Sequence, residues 1–173
     1  MKKIQLTFVL LFVITSFYSQ NNDLYELTGP AKMLGSWEGE IKNAITFNSS
    51  SQANFKIVRG QQGMMLTLEH KSKSIILDQI EKPEQEGFIK VYEFDFDDDN
   101  DSEIIVFSRD YTQAYCRVFK ISNGLVEMIG DFSPQFQVMV SKNLINFPYG
   151  GQGLSNEYYF RNDSFFELVY HNP

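Results

Sequence analysis

The sequence predicts an all-β protein of antiparallel sheets, with about eleven or twelve short strands in a propeller-like array, a barrel or a sandwich. Apolar and polar residues alternate at 53–58, 64–68 and 74–80, and a period of two is the signature of a strand. Short polar turns separate these runs, which suits antiparallel hairpins. No stretch of eleven residues shows a clear helical period, and only residues 25–34 leave room for a short helix.

The chain begins with a segment typical of a secretory signal peptide. Two lysines precede an apolar run at residues 4–17, and polar residues follow it. The run is too short to span a membrane comfortably, although an uncleaved anchor is the alternative. We therefore expect residues 1–19 to be a signal peptide and residues 20–173 to form a single all-β domain. The mature protein is expected in the periplasm or outside the cell, without membrane attachment.

The first strand is expected at residues 34–41 and contains Gly35-Ser36-Trp37. A Gly-x-Trp at the start of a strand is similar to the opening motif of lipocalin-like barrels, in which the Trp plugs the barrel base. The other interpretation is a Trp that belongs to an ordinary core. After the three alternating runs above, the remaining strands are expected at residues 88–96, 103–108, 115–121, 125–129, 136–140, 158–160 and 165–170.

Residues 95–103 carry the one arrangement of side chains that implies specific chemistry. Calcium takes six to eight oxygen ligands, mostly from carboxylates and carbonyls, and a loop with alternating acids can supply them. The acids occupy every second position between two apolar, strand-like runs: Asp95, Asp97, Asp99, Asp101 and Glu103. Counted from the first of them, they take positions 1, 3, 5, 7 and 9 of an EF-hand-like loop.

Two positions of this loop depart from the EF-hand pattern. Val106 stands where position 12 has a bidentate Glu, and Asn100 stands where position 6 has Gly. Asn tolerates the left-handed backbone that a sharp turn needs. The alternative is a solvated acidic turn, but seven carboxylates within residues 93–103 repel one another without a counter-ion. The sequence therefore predicts a calcium site on a strand-turn-strand.

The stretch Asp95-x-Asp97-x-Asp99-x-x-x-Glu103-Ile104 resembles the D-x-D-x-D-x-x-x-[DE]-[IL] loops of FG-GAP and VCBS-type repeat proteins. It is also similar to the single such loop in secreted all-β proteins related to the periplasmic lysozyme inhibitors of the I-type class. The pattern covers about 12 residues, and the usual Gly within the loop is missing. The resemblance implies a calcium cofactor, favours a propeller-like array, and implies inhibition of a lysozyme-type hydrolase by steric blockade.

Residues 143–154 form a second distinctive stretch, with three glycines. It lacks the Lys-Ser/Thr of a phosphate-binding loop, and a Tyr-rich strand follows it in place of a helix. We interpret it as a protruding loop that offers Tyr149 and Gln152 to a protein partner, because exposed aromatic side chains on loops are good contact residues. A mobile connection without a binding role is the alternative.

Composition narrows the classes of function. Removing the two lysines of the signal peptide from the 15 basic residues leaves 13 against 22 acidic ones, a charge of −9. This excess of acid argues against nucleic acids and anionic membranes and is compatible with a basic protein partner. Cys116 is the single cysteine of the sequence, so no internal disulfide can form, and the thiol is interpreted as a buried structural group.

An enzyme is not expected. The two histidines, His70 and His171, fall on a predicted turn and near the C-terminus, which are poor places for a positioned base. One Cys and two isolated His also make zinc an unsuitable metal. Two functions stay open. One is a calcium-stabilised β-domain that binds a protein. The other is a lipocalin-like carrier of a small apolar ligand, suggested by Trp37 and by 16 Phe and 9 Tyr.

Overall fold

The computed structural model describes residues 25–39, 43–70, 73–81, 87–122, 125–149 and 153–169. This part of the chain contains fourteen strands and no helix, so the all-β prediction is confirmed. The strands are β1 (Leu27–Thr28), β2 (Lys32–Glu38), β3 (Ile45–Asn48), β4 (Asn54–Arg59), β5 (Met64–His70), β6 (Lys73–Ile80), β7 (Phe88–Phe94), β8 (Glu103–Arg109), β9 (Ala114–Ser122), β10 (Leu125–Phe132), β11 (Val138–Ser141), β12 (Leu144–Tyr149), β13 (Leu154–Arg161) and β14 (Ser164–Glu167).

The strands form three sheets that are almost entirely antiparallel. The C-terminal sheet has the order β1-β11-β12-β13-β14, the central sheet β10-β9-β8-β7-β2, and the N-terminal sheet β3-β4-β5-β6. Within the described residues only β1 and β11 pair in parallel. None of the three sheets closes on itself in this part of the chain. The described strands therefore form no closed barrel, and the three open sheets are consistent with a sandwich.

The central sheet is buried on both faces, because the outer sheets pack on it from opposite sides. Strand β8 shows this clearly. Its residues Ile105 and Phe107 belong to the core shared with the C-terminal sheet, whereas Ile104 and Val106 belong to the core shared with the N-terminal sheet. A strand buried on both faces has no need of polar residues at alternate positions. This explains the unbroken apolar run that follows the acidic loop.

Three strands lie outside the predicted set: β1, β3 and β12. The third of these corrects the interpretation of residues 143–154, since Leu144–Tyr149 is a strand paired with both of its neighbours. Pro148 is tolerated there because the register of β11 with β12 ends at Asn146, and a Pro beyond that point removes no ladder hydrogen bond to β11. The expectation of a protruding loop is therefore wrong for most of this stretch.

Two further interpretations can be compared with the packing. Trp37 is 3% exposed, lies near the end of β2, and packs in the core between the central and N-terminal sheets. The described strands form no barrel for it to plug, so Trp37 is an ordinary core residue. Cys116 is fully buried, in agreement with a structural thiol.

Residues 1–19, the predicted signal peptide, lie outside the described residues. Among those described, no helix is long and apolar enough to cross a membrane.

Candidate metal centre

The acidic loop between β7 and β8 contains a compact group of three carboxylates. The ligand oxygens of Asp95, Asp97 and Asp99 all lie within 4.8 Å of one another, so the group could hold a metal ion. Asp95 is half-buried, and Asp97 and Asp99 are exposed. Three negative charges at this spacing repel one another. The arrangement therefore fits a cation that prefers hard oxygen ligands.

The backbone of the loop explains how the alternating acids converge. In a continuous strand, residues 95 and 99 would lie roughly 13 Å apart along one face. Instead, Asp98 and Asn100 have positive φ values of 62° and 69°, which coil the chain into a turn. The left-handed conformation predicted for Asn100 is confirmed. Asp98 is a second left-handed residue that sequence reasoning did not identify.

Hydrogen bonds within the loop fix this conformation. The Oδ1 atom of Asp95 accepts a hydrogen bond from the N–H of Asp99 at 3.2 Å, and its Oδ2 atom accepts one from the N–H of Asn100 at 2.9 Å. Asp101 donates its N–H to Oδ1 of Asp99 at 2.7 Å. Each carboxylate oxygen has more than one lone pair. Asp95 and Asp99 can therefore organise the turn and still coordinate an ion.

Phe96 lies between the candidate ligands Asp95 and Asp97 and anchors the loop to the protein interior. Its side chain is fully buried. Its ring centroid lies 4.9 Å from that of Phe94 and 5.2 Å from those of Phe160 and Phe165. Its carbonyl accepts a hydrogen bond from the N–H of Asn143 at 2.7 Å, which ties the loop to the turn between β11 and β12. The positions of the flanking carboxylates thus depend on the packing of this ring.

Glu103, the last of the predicted ligands, is the first residue of β8 and is 1% exposed. Its carboxylate accepts a hydrogen bond from the N–H of Phe96 at 3.3 Å. Burial, together with the negative charges of Asp97 and Asp99, raises the pKa of Glu103 to about 7. Desolvation and the charge of Asp99 also raise the pKa of Asp97. Burial is the largest cause of both shifts, and the smaller contributions of the neighbouring Asp charges show that a cation placed here would be attracted.

Other acids near the loop are already neutralised by lysines. Lys142 pairs with Asp98, and Lys120 pairs with Asp163 of the turn between β13 and β14. Within the described residues, no basic side chain forms an ion pair with any member of the compact group, Asp95, Asp97 and Asp99. Lys142 attracts Asp95 and Lys120 attracts Asp99 at longer range, but among the described residues neither lysine forms a direct ion pair with the group.

The structure brings together three of the five predicted ligands. Asp101 and Glu103 are not members of the compact group. Sequence reasoning also missed the role of Phe96. It is the one apolar residue within residues 95–103, and an isolated apolar residue in an otherwise polar turn is a usable signal of an anchor to the core.

Of the predicted partner contacts and the histidines, Tyr149 and His70 lie in the described part of the chain, and both occupy different places from those expected. Tyr149 is the last residue of β12, is half-buried, and pairs with Leu154 of β13, so it lies at a strand end. His70 is the last residue of β5 and not a turn residue. Gln152 and His171 lie outside the described residues.

Comparison of the chain with protein-family models, curated proteins and solved structures finds no match to any of them.

Proposed function

We propose that this protein is an exported, calcium-binding β-domain that acts as a protein-binding module. One observation carries the calcium part of the proposal. The oxygens of Asp95, Asp97 and Asp99 lie within 4.8 Å of one another, on a turn that internal hydrogen bonds hold in place. The predicted signal peptide supports export, where calcium is available to sites of modest affinity.

Calcium suits this group better than zinc or magnesium. Zinc prefers nitrogen and sulfur ligands, whereas the group offers only carboxylates, and Cys116 is buried in the core. Magnesium demands near-ideal octahedral geometry and gives up its waters reluctantly. A larger ion that accepts variable numbers of oxygens is the better fit for an exposed turn with Glu103 close by.

In this proposal the ion has a structural role. Asp95, Asp97 and Asp99 would hold it, and bound calcium would supply the direct ionic contact that no lysine or arginine among the described residues makes with them. Because Asp95 also accepts hydrogen bonds from the turn, fixing its carboxylate would stiffen the connection between β7 and β8. A cation that binds only the folded state stabilises it by RT ln(1 + [L]/Kd), about 2.7 kcal/mol at a hundredfold excess over Kd. This would compensate for the lack of a disulfide.

Thermal melting of paired variants tests the calcium site. Asp97→Asn with Asp99→Asn should lower the melting temperature in millimolar calcium and have little effect in chelator. The matched control is Asp98→Asn, because Asp98 lies in the same turn but pairs with Lys142. For a domain of this size the calcium-dependent shift should be roughly 5–11 °C. If the double variant and the parent respond to calcium equally, the group is not the metal site.

The outer face of the C-terminal sheet supports the protein-binding part of the proposal. Leu144, Tyr159 and Phe166 lie in one row across β12, β13 and β14. Tyr159 is 40% and Phe166 55% exposed, and nearby Met139 on β11 is 45% exposed. Contiguous exposed apolar side chains on a sheet commonly mark a protein interface. The charge of −9 expected after removal of the signal peptide favours a basic partner.

The partner class that we propose is a basic hydrolase of the lysozyme type, as the calcium-loop resemblance implies. Inhibition would be steric, without chemistry by this protein. The test is muramidase activity of a basic lysozyme titrated with the calcium-bound protein. Phe166→Ser should weaken inhibition, whereas Ile76→Ser, at a 56% exposed position of the N-terminal sheet, should not. Full muramidase activity at excess protein would remove this partner class and leave the calcium proposal untouched.

A further inference from the structure

Two clefts occupy the end of the molecule opposite the acidic loop. The loop joins β7 to β8 at one end, whereas the turn after β8 and the segment after β10 lie at the other. One cleft has a volume of about 310 Å³ and includes Gln113 of that turn. The second has a volume of about 340 Å³ and includes Tyr149. Ser133, Pro134 and Gln135 line both. We call the pair the end clefts.

Aromatic rings line each of the end clefts. Tyr25 and Phe136 line the first. Their ring centroids are 6.0 Å apart, and the Tyr25 ring is also 5.9 Å from that of core residue Phe88. Phe147 and Tyr149 line the second cleft. Phe147 is 5% exposed and belongs to the core, whereas Phe136 is 43% exposed. The Tyr25 ring is also fixed by the Arg109 guanidinium, 4.3 Å from its centroid, so Tyr25 and Phe136 are preorganised to meet a ligand at little entropic cost.

Amide side chains are the second feature of the end clefts. Gln113 and Gln135 line the first cleft, and Gln135 and Asn156 line the second. The side-chain amides of these three residues make no hydrogen bond to the part of the chain that the structure describes. Each amide can both donate and accept hydrogen bonds. Polar groups that the fold does not use are therefore placed beside aromatic faces.

Charge is the third feature. Asp, Glu, Lys and Arg make up 21% of the sequence, yet none of them is among the described residues that line either cleft. Two charges border the first cleft from outside its lining: the Arg109 guanidinium lies 4.3 Å from the Tyr25 ring centroid, and Asp110 accepts hydrogen bonds from the N–H groups of Thr112 and Gln113. Because they are of opposite sign, a charged ligand would find no net counter-charge there. A wholly apolar ligand would bury the amides without partners, which is costly. The lining is matched to a ligand that is uncharged, rich in hydroxyl groups, and able to pack C–H groups on aromatic rings.

We propose that the end clefts bind a neutral saccharide chain. The C–H faces of successive sugar rings would pack on Tyr25 and Phe136 in one cleft and on Tyr149 in the other. The hydroxyl groups would exchange hydrogen bonds with Gln113, Gln135 and Asn156. The shared wall at Gln135 would make the two clefts adjacent subsites of one linear chain. This site is independent of both the metal group and the outer face of the C-terminal sheet.

Isothermal titration calorimetry with uncharged hexasaccharides tests this proposal, using cellohexaose, maltohexaose and chitohexaose in turn. At least one should bind the folded, calcium-equilibrated protein, and an oligogalacturonate of similar length should bind more weakly because of its charge. Tyr149→Ala and Gln135→Ala should each weaken binding by about tenfold or more. Gln135 is exposed and forms no hydrogen bond in the described part of the chain, so its variant should fold normally.

Tyr111→Ala is the matched control. Tyr111 is 65% exposed, lies in the turn after β8, and lines neither cleft. Its replacement should leave saccharide affinity unchanged. The proposal is overturned if none of the three hexasaccharides binds at about 10 mM, or if binding is unaffected by both Tyr149→Ala and Gln135→Ala. It is also overturned if Tyr149→Ala weakens hydrolase inhibition while no saccharide binds, since the clefts would then contact a protein.

Discussion

Replacing Phe96 by Ala should destabilise the protein strongly, because this ring attaches the acidic loop to the core. The side chain is 0% exposed and contacts three aromatic rings at centroid distances of 4.9–5.2 Å. Truncation of a buried Phe typically costs about 3–5 kcal/mol, and aromatic pairs add about 0.5–1.5 kcal/mol each beyond burial. We therefore expect a loss of at least about 3 kcal/mol in the free energy of unfolding.

Urea denaturation in chelator measures this loss without a contribution from calcium. In a separate thermal denaturation experiment, the melting temperature of the Phe96→Ala variant should lie roughly 6–20 °C below that of the parent. Phe166→Ala is the matched control, because Phe166 is 55% exposed and its replacement should cost about 0.5 kcal/mol or less. The Phe96 variant should also bind calcium more weakly, since Asp95 and Asp97 lose their shared anchor. Equal unfolding free energies for the two variants would refute the anchoring role.

Three further predictions concern polar groups and the thiol. Glu93 is 6% exposed and accepts hydrogen bonds from Lys32 Nζ and from the N–H of Ser50, both at 2.7 Å. Glu93→Gln should therefore lower the free energy of unfolding, measured by urea denaturation, by about 1–3 kcal/mol. Lys32→Ala should lower it by less than about 1 kcal/mol, because the Lys32 side chain is 65% exposed. Similar decreases for the two variants would contradict this network. Burial alone would raise the pKa of Asp110, but hydrogen bonds from the surrounding turn outweigh burial and lower this pKa in the folded protein. The Asp110 carboxylate should therefore stabilise the fold at pH values above its unfolded pKa. This stabilisation should be lost as the pH falls through the lower folded pKa. Melting curves between about pH 2 and 5 should show this loss in the parent and less of it in Asp110→Asn. Burial raises the pKa of the Cys116 thiol, so a thiol reagent should react only after denaturation, and rapid reaction of the folded protein would show that the core opens.

The fold was predictable where the sequence pattern follows the packing. Alternation identified β4, β5 and β6, which are each covered on one face. Residues 104–107 were identified as a strand by their apolar run, but their burial on both faces follows from the third layer, which local sequence does not specify. Strand β12 was missed because Pro148 and the nearby glycines are strand-breaking by composition. Its pairing partners are local, since β11 directly precedes it and β13 directly follows it, but composition alone did not reveal them.

The candidate sites differ in how far local sequence determines them. Asp95, Asp97 and Asp99 come from one turn, so their spacing was sufficient to predict that they act together. The exclusion of Asp101 and Glu103 from the group depends on the positive φ values of Asp98 and Asn100 and on the burial of Glu103, which spacing does not encode. The end clefts are assembled from five separate segments of the chain. No motif links them, and they become visible only once the sheets are stacked.

Calcium titration by isothermal calorimetry tests the central claim most directly. The mature protein, stripped of metal with chelator and dialysed, should bind one calcium ion per chain, and Asp97→Asn with Asp99→Asn should abolish the binding heat. Magnesium at the same concentration should compete poorly, because it requires stricter geometry. Absence of a calcium heat in the parent, with no change in melting temperature, would contradict the account and leave the acidic loop as a solvated turn.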